Sequence, residues 1–509
     1  MKLIPNTLHY GDCLEVMRQW PDGCVDLIYL DPPFNSNANY NILFGKEKRS
    51  PSQNNVSKRK DLAQLVAFTD MWEWSERTAR RIEEISKATA HPARDAVLAL
   101  DILYKNSGGM LTYLVYMADR IAEMRRILKP AGSIYLHCDP TASHYLKIVM
   151  DAVFGMQSYR NEITWCYRGM GNKSAAKFQA RHDVILMYAG NASTFNHQFG
   201  EPTPESQKTY ESAARVGYLA NHSRMLVTVF DREKYGAAVK AGKLPRGMKE
   251  MEFDGGKPLI SDWWADIKIL GGPKNKERLG YPTQKPLALL ERIISASSNQ
   301  GDIVLDPFCG CGTTIEAAMN LNRQFIGIDI SMYALNVIQK QRLKDARFKI
   351  DGIPADMQSA RAMAEANPFA FEKWAVHLIP GFVANNKQRG DGGVDGWGCL
   401  LHAPENEEGI CMAQVKGGTP SADALRAFTS RLAGGSASLG VFITLEKCDT
   451  PTARQCIADA GTFKLGANQY NRMLMWSIEE YFAGAMPPLP PLANPVTGKA
   501  IQEDIMTRG

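Results

Sequence analysis

The sequence predicts an α/β protein of two units, the first divided by an insertion. Three observations lead to this. Strand-length apolar runs such as VDLIYL at 25–30 alternate with helix-length amphipathic stretches over residues 1–190, and again over 281–350. Residues 191–280, between these halves, are polar, mixed in charge and weakly periodic. From about Pro368 a second, smaller helix and strand series begins. The expected division is 1–190 and 281–350 for the halves, 191–280 for the insertion, 351–367 for a linker, 368–490 for the second unit and 491–509 for a tail.

At 509 residues the chain is too long for one typical core. Hydrophobic residues make up 45% and charged residues 22%, an ordinary globular balance. No apolar run approaches the length that spans a bilayer, and the first residues lack a signal-peptide core, so a non-membrane, cytoplasmic protein is expected. The ten cysteines form no CxxC pair, which argues against a disulfide framework or zinc module and fits a reducing compartment. The formal net charge of +5 permits nucleic-acid binding without requiring it.

In chain order, the run at 25–30 reads as a buried strand ending at Asp31. Residues 46–64, with Lys46, Lys48, Arg49, Lys58, Arg59 and Lys60, read as a mobile loop or a solvated insertion. The pattern at 111–128 is a helix closed by Lys129, Pro130 and Gly132. A strand at 133–138, a helix at 145–154 and strands at 162–167 and 184–188 follow. Within the insertion, Lys234, Lys240, Lys243, Arg246, Lys249, Lys274, Lys276 and Arg278 interleave with Tyr235, Phe253, Trp263 and Trp264. The second half offers a helix at 287–296, a strand at 303–305, a helix at 313–320, a strand at 325–328 and a polar helix to about 349. The second unit offers a helix at 369–379, strands at 394–401 and 410–415, a helix at 422–432 and a strand at 440–445. The proline-rich stretch 486–495 is expected to lie extended on the surface.

The strongest cofactor signal is Asp306-Pro307-Phe308-Cys309-Gly310-Cys311-Gly312-Thr313-Thr314, between a strand and a helix. Glycines let the backbone turn tightly and approach a ligand, and the helix N-terminus offers free N–H groups. Asp329 closes the next strand, where a nucleotide-binding α/β fold places an acid for ribose hydroxyls. Together these parts are Rossmann-like. No Lys follows the glycines as in a phosphate loop, and Asp306 is a poor neighbour for phosphate. An acid there suits a ligand with an ammonium group, as S-adenosylmethionine has.

Asp31-Pro32-Pro33-Phe34 ends another strand. The prolines fix φ and remove two donors, leaving the Pro32 carbonyl and the Asp31 carboxylate as acceptors for one –NH2 group. An aryl amine is a weak nucleophile because its lone pair is delocalised. Holding its N–H groups frees that pair, and Phe34 offers a ring for a base turned out of the duplex. A rigid turn after a strand is the bland alternative for this tetrapeptide.

With these blocks the sequence resembles the amino-methyltransferases of DNA, which modify the 6-amino group of adenine or the 4-amino group of cytosine. The proline block comes first; Tyr281-Pro282-Thr283-Gln284-Lys285-Pro286 and the glycine loop come late, an order similar to the β-type permutation. The resemblance covers about 8–345 and includes Gly11-Asp12-Cys13-Leu14, DPPFNSNANY at 31–40, RILKPAG at 126–132, His137-Cys138-Asp139, NEITW at 161–165 and Arg181-His182-Asp183. It implies a Rossmann-like, S-adenosylmethionine-dependent methyltransferase acting on double-stranded DNA, with 191–280 as target-recognition region. It implies that Asp31, Pro32, Pro33 and Phe34 are catalytic. Asp306, Phe308, Gly310, Gly312 and Thr313 would line the cofactor site, with Asp329 on the ribose, Asp12 at the cofactor adenine, and Thr283 and Lys285 beside the methionine end. Asp rather than Ser at position 31 favours adenine, with cytosine the alternative. A homodimer is the implied assembly.

In the second unit Asp395 precedes a strand, and Gln414 and Lys416 end the next, with Glu372 on the helix before. An acid and a lysine at adjacent strand ends could hold a divalent metal and a water for phosphodiester attack. The arrangement resembles the restriction-endonuclease-like fold in the branch with Gln between Asp and Lys. Asp395 would be the ligand for Mg2+, Gln414 would shape the site or ligate through its carbonyl, Lys416 would act on water or phosphate, and Asp391 would serve in a turn. A module that only binds DNA or a partner stands beside a cleaving one, which would make the chain a restriction–modification enzyme.

Overall fold

The computed structural model describes residues 3–33, 39–43, 64–69, 74–104, 108–167, 178, 180–200, 214–220, 223–229, 248–251, 259–271, 275–279, 281, 283–385, 393–404, 407, 409–435 and 437–493. Phe34, Asp391, most of 46–64 and most of the basic positions in 191–280 lie outside these residues.

The strands of the first unit are β1 (Thr7–Tyr10), β2 (Val25–Leu30), β3 (Asn39–Leu43), β4 (Gln64–Thr69), β5 (Leu128–Cys138), β6 (Tyr159–Cys166) and β7 (His182–Ala189). They continue with β8 (Ala214–Ala220), β9 (Ser223–Val229), β10 (Met248–Met251), β11 (Trp263–Trp264), β12 (Ile303–Asp306), β13 (Gln324–Asp329) and β14 (Lys349–Asp351). Among the described residues, nine of these form one sheet in the order β11-β6-β7-β5-β2-β12-β13-β1-β14. The pairings from β5 to β14 are parallel, and β7 runs antiparallel to both β5 and β6.

The central strands are buried on both faces, which is why they read as apolar runs rather than alternations. On one face Leu27, Tyr29, Tyr135 and Val304 pack with Leu289, Leu290, Ile293 and Ile315 of the helices Leu287–Ser297 and Thr313–Asn320. On the other, Ile28, Leu30, Ile134, Leu136 and Leu305 pack with the helices Gly108–Ile127 and Ser143–Phe154. Each fully buried Leu or Ile contributes about 1.5–3 kcal/mol. The long helix buries Leu111, Leu114, Val115, Ala118 and Ile121 at helical spacing, and Arg125 and Arg126 in its last turn suit the helix dipole.

The second unit holds β15 (Val383–Ala384), β16 (Gly396–Cys399), β17 (Ile410–Lys416), β18 (Leu439–Thr444), β19 (Thr462–Leu465), β20 (Asn468–Asn471) and β21 (Met473–Ser477). Its sheet runs β15-β16-β17-β18-β21, antiparallel from β15 to β17 and parallel from β17 to β21. One continuous apolar cluster joins the units, from Tyr10, Met332 and Leu335 to Phe371, Trp374 and Ala375.

Three expectations are corrected here. The linker 351–367 carries the helix Met357–Ala366, closed by a capping box between Asp356 and Ser359 and rich in strong helix formers. The proline-rich stretch is docked: Leu492 and Ala493 are buried, Leu492 bridges to Leu400, and the Pro491 carbonyl accepts from Leu401. The polar helix expected after β13 is also short, a single α segment Met332–Val337 followed by a π turn Ile338–Arg342.

Candidate active site

The strand order brings together two motifs far apart in sequence. β2 lies beside β12 with Ile28 opposite Leu305, so Asp31 after β2 and Asp306 ending β12 emerge at the same edge of the sheet. A crevice at the carboxyl ends of parallel strands is where open α/β sheets bind ligands.

Asp306 is 3% exposed. Its Oδ1 accepts the Phe308 backbone N–H at 3.0 Å and its Oδ2 accepts the Thr314 hydroxyl at 2.5 Å, which folds the loop back onto the strand end. Gly310 and Gly312 have φ of +48° and +78°, conformations that side chains resist. A Cβ on Gly312 would stand 2.7 Å from Ile338 Cγ1, so only glycine lets the loop close against that side chain. Asp329 accepts Gly310 N–H through Oδ2 and Ser331 N–H through Oδ1, each at 2.8 Å. Phe308 is half-buried against the neighbouring apolar core, and Thr313 donates to the Lys285 carbonyl at 3.2 Å.

Burial pushes the Asp306 carboxyl up to about 7 and that of Asp329 up to about 6, in both cases against the pull of their hydrogen bonds. Among the described residues neither forms an ion pair. Two desolvated acids at one strand edge fit a ligand bearing positive charge and oppose a phosphate.

Asp31 shows a different asymmetry. Its Oδ2 meets Lys285 Nζ at 2.6 Å. Its Oδ1 is buried and has no hydrogen-bond partner among the described residues. A buried acceptor left open costs about 1–3 kcal/mol, so it marks a place where a donor from outside is expected. Pro32 is buried and Pro33 half-buried beside it.

Other expected site residues are placed differently. Asp12 caps the helix Cys13–Met17 through Oδ1 and pairs through Oδ2 with Arg120, so both its carboxylate oxygens are engaged within the protein. Thr283 is exposed. A polar chain absent from the expected set runs through the core beside the site: Tyr29 OH is hydrogen-bonded to His137 Nδ1 at 2.8 Å, His137 Nε2 to Asp183 at 3.0 Å, and Tyr167 OH donates to Asp183 at 3.0 Å. Its sequence trace was the pair of blocks His137-Cys138-Asp139 and Arg181-His182-Asp183. Arg120, 5% exposed, was detectable as a charge within an apolar helical stripe.

In the second unit Gly396 lies opposite Ala413, which sets Asp395 across from Gln414, with Lys416 on the same strand face. Asp395 Oδ2 accepts Val415 N–H at 2.7 Å, and Gln414 is buried. Among the described residues no group of three or more His, Cys, Asp or Glu gathers as a metal site.

Residues 25–340 match the family model N6_N4_Mtase, described as DNA methylase. The Type II methyltransferase M.EcaI of Enterobacter cloacae is 30% identical over 261 residues, 45% of this chain and 57% of that protein. The Type II methyltransferase M.HpaI of Haemophilus parainfluenzae is 29% identical over 276 residues, 54% of this chain and 73% of its own. The DNA adenine methyltransferase YhdJ of Escherichia coli K12 is 25% identical over 331 residues, 64% of this chain and 78% of its own. The chain thus spans 57% of the length of the first of these relatives. No helix among the described residues is long and apolar enough to cross a membrane.

Proposed function

The chain belongs to this DNA methylase family, and on that premise we propose that it methylates the exocyclic N6 amine of adenine in duplex DNA, with S-adenosylmethionine as methyl donor. The carrying observation is Asp31, with one oxygen held by Lys285 and the other buried and open. When bound, S-adenosylmethionine supplies an electrophilic methyl group on a sulfonium. The amine nitrogen would take that methyl group as the carbon–sulfur bond breaks, S-adenosylhomocysteine would leave as the neutral thioether, and the surplus proton on nitrogen would pass to solvent.

The chain's own residues prepare the amine. Asp31 Oδ1 accepts one N–H and the Pro32 carbonyl the other, which turns the nitrogen lone pair out of conjugation toward the methyl group. Phe34 is proposed to stack on the flipped base. Asp306 and Asp329, with Phe308, Gly310, Gly312 and Thr313, are proposed to hold the donor. Burial raises both carboxyls, so a cationic group placed beside them would favour their ionised form. Adenine is favoured by Asp at position 31 and by the adenine specificity in the name of one relative. The insertion 191–280 is proposed to read the target sequence.

Labelled methyl transfer to DNA, followed by nucleoside analysis, tests this reading. N6-methyladenine is expected, with loss of transfer in Asp31→Ala. N4-methylcytosine would replace the base assignment, and no transfer by the unaltered protein would remove the proposal.

A second reading concerns the smaller unit. Its strand order and the alignment of Asp395, Gln414 and Lys416 support a restriction-endonuclease-like fold. Asp395 is the one carboxylate of this alignment, and no group of three or more His, Cys, Asp or Glu gathers around it among the described residues. Unmodified DNA incubated with the protein and Mg2+ is expected to stay intact. Cutting that disappears in Asp395→Ala would instead make the chain a restriction–modification enzyme. The homodimer implied by resemblance is tested by sedimentation of the free protein.

A further inference from the structure

We propose that Lys285 is a positioning residue for Asp31, which fixes the carboxylate that receives the amine, and not a ligand for the methionine end of the donor. This rests on the methyltransferase reading above.

The two residues are 254 positions apart, and their contact joins the halves of the divided unit. Both side chains are largely buried, Lys285 at 12% and Asp31 at 15% exposed. The ammonium holds Oδ2 at 2.6 Å, and Oδ1 is the oxygen left without a partner among the described residues. A carboxylate held at one oxygen is restrained in its rotation, which biases the direction of the other before the base arrives. Such preorganisation removes reorientation from the reaction step.

Lys285 is itself held on both sides. Before it, Gln284 accepts Leu279 N–H at 2.8 Å and donates to the Glu277 carbonyl at 2.7 Å. After it, Leu287 N–H donates to Glu277 Oε1 at 2.6 Å where the helix Leu287–Ser297 begins. Its carbonyl receives the Thr313 hydroxyl from the first turn behind the glycine loop. The backbone is thus tied to the cofactor loop while the side chain is tied to the catalytic acid.

A second carboxylate lies in the field of this ammonium. Burial alone would raise the Asp183 carboxyl, but the His137 hydrogen bond and charge, the Lys285 ammonium and the Tyr167 hydroxyl outweigh it and hold it below the usual range. The charge of this ammonium thus acts on Asp31 and Asp183 together.

The test separates donor binding from turnover. Lys285→Met and Lys285→Arg are compared with the unaltered protein for kcat in labelled methyl transfer and for donor Kd by titration calorimetry with S-adenosylmethionine alone. In Lys285→Met, kcat is expected to fall about 100-fold, the scale of a small misplacement of a reacting group, with donor Kd changed less than about threefold. Lys285→Arg, which keeps the charge, is expected to recover at least about a tenth of the original kcat. A donor Kd that weakens in step with the lost activity overturns the inference, as does a Lys285→Met kcat within about threefold of the original. If Lys285→Met does not fold, Lys285→Arg decides: donor Kd unchanged with kcat retained supports the inference, and a weakened donor Kd overturns it. Absence of transfer by the unaltered protein would fail the methyltransferase reading itself, a result distinct from all of these.

Discussion

Asp329 holds the backbone N–H of Gly310 through Oδ2 at 2.8 Å, so the acid that ends β13 shapes the glycine loop leaving the adjacent strand β12. The same residue accepts Gly11 N–H through its backbone carbonyl at 3.0 Å. One acid thereby fixes two loops at the sheet edge, and it stands half-buried near the buried Asp306, neither forming an ion pair among the described residues.

That arrangement predicts a pH dependence. Asp306 is pushed up to about 7 and Asp329 up to about 6, so the folded protein binds more protons than the unfolded chain between about pH 4 and 7. Their contribution to stability is therefore lost as pH rises through that window. In the absence of donor, the Tm of the unaltered protein is expected to fall more between pH 5 and 8 than that of Asp306→Asn. Equal slopes in thermal melts of the two proteins would refute this.

Donor affinity follows with the opposite sign. A cationic ligand favours the ionised acids, which are mostly protonated in the free site at pH 5. Calorimetric Kd for S-adenosylmethionine is expected to tighten from pH 5 to 8 and then level off. A flat or weakening profile over that range would show that the two acids do not face the donor's charge.

Gly312 tests the loop. Its φ of +78° and the 2.7 Å approach to Ile338 leave no room for a methyl group. Gly312→Ala is expected to cost about 1–3 kcal/mol in urea unfolding and to weaken donor binding. An unchanged unfolding midpoint would mean that the loop shifts at no cost.

Asp31→Ala is expected to lower the Tm as well as abolish transfer, because it removes the carboxylate 2.6 Å from the largely buried Lys285 ammonium. Donor Kd is expected to stay within about threefold, since the change removes an acceptor for the base and not for the donor. Parallel calorimetry and melts check both. Loss of donor binding would relocate Asp31 to the cofactor site.

Leu492 tests the docked end of the second unit. It is 6% exposed and bridges to Leu400. Leu492→Ala is expected to cost about 2 kcal/mol in urea unfolding, near the lower end for a buried leucine. A loss below about 0.5 kcal/mol would return this segment to the surface, as composition alone implied.

What the sequence by itself determined lies within short windows. The runs that become β2, β12 and β13, the helix behind the glycine loop and the acids at the strand ends were legible because period and motif are local. The helix Met357–Ala366 was legible too, in its alanines and in Asp356 three residues before Ser359, but it was read as a linker. Only the tertiary structure decided that β2 pairs with β12 across the insertion, that Lys285 closes on Asp31, and that Asp12 pairs with Arg120. Strand order and buried ion pairs depend on which faces are desolvated together once the chain packs. No periodicity within a window carries that information.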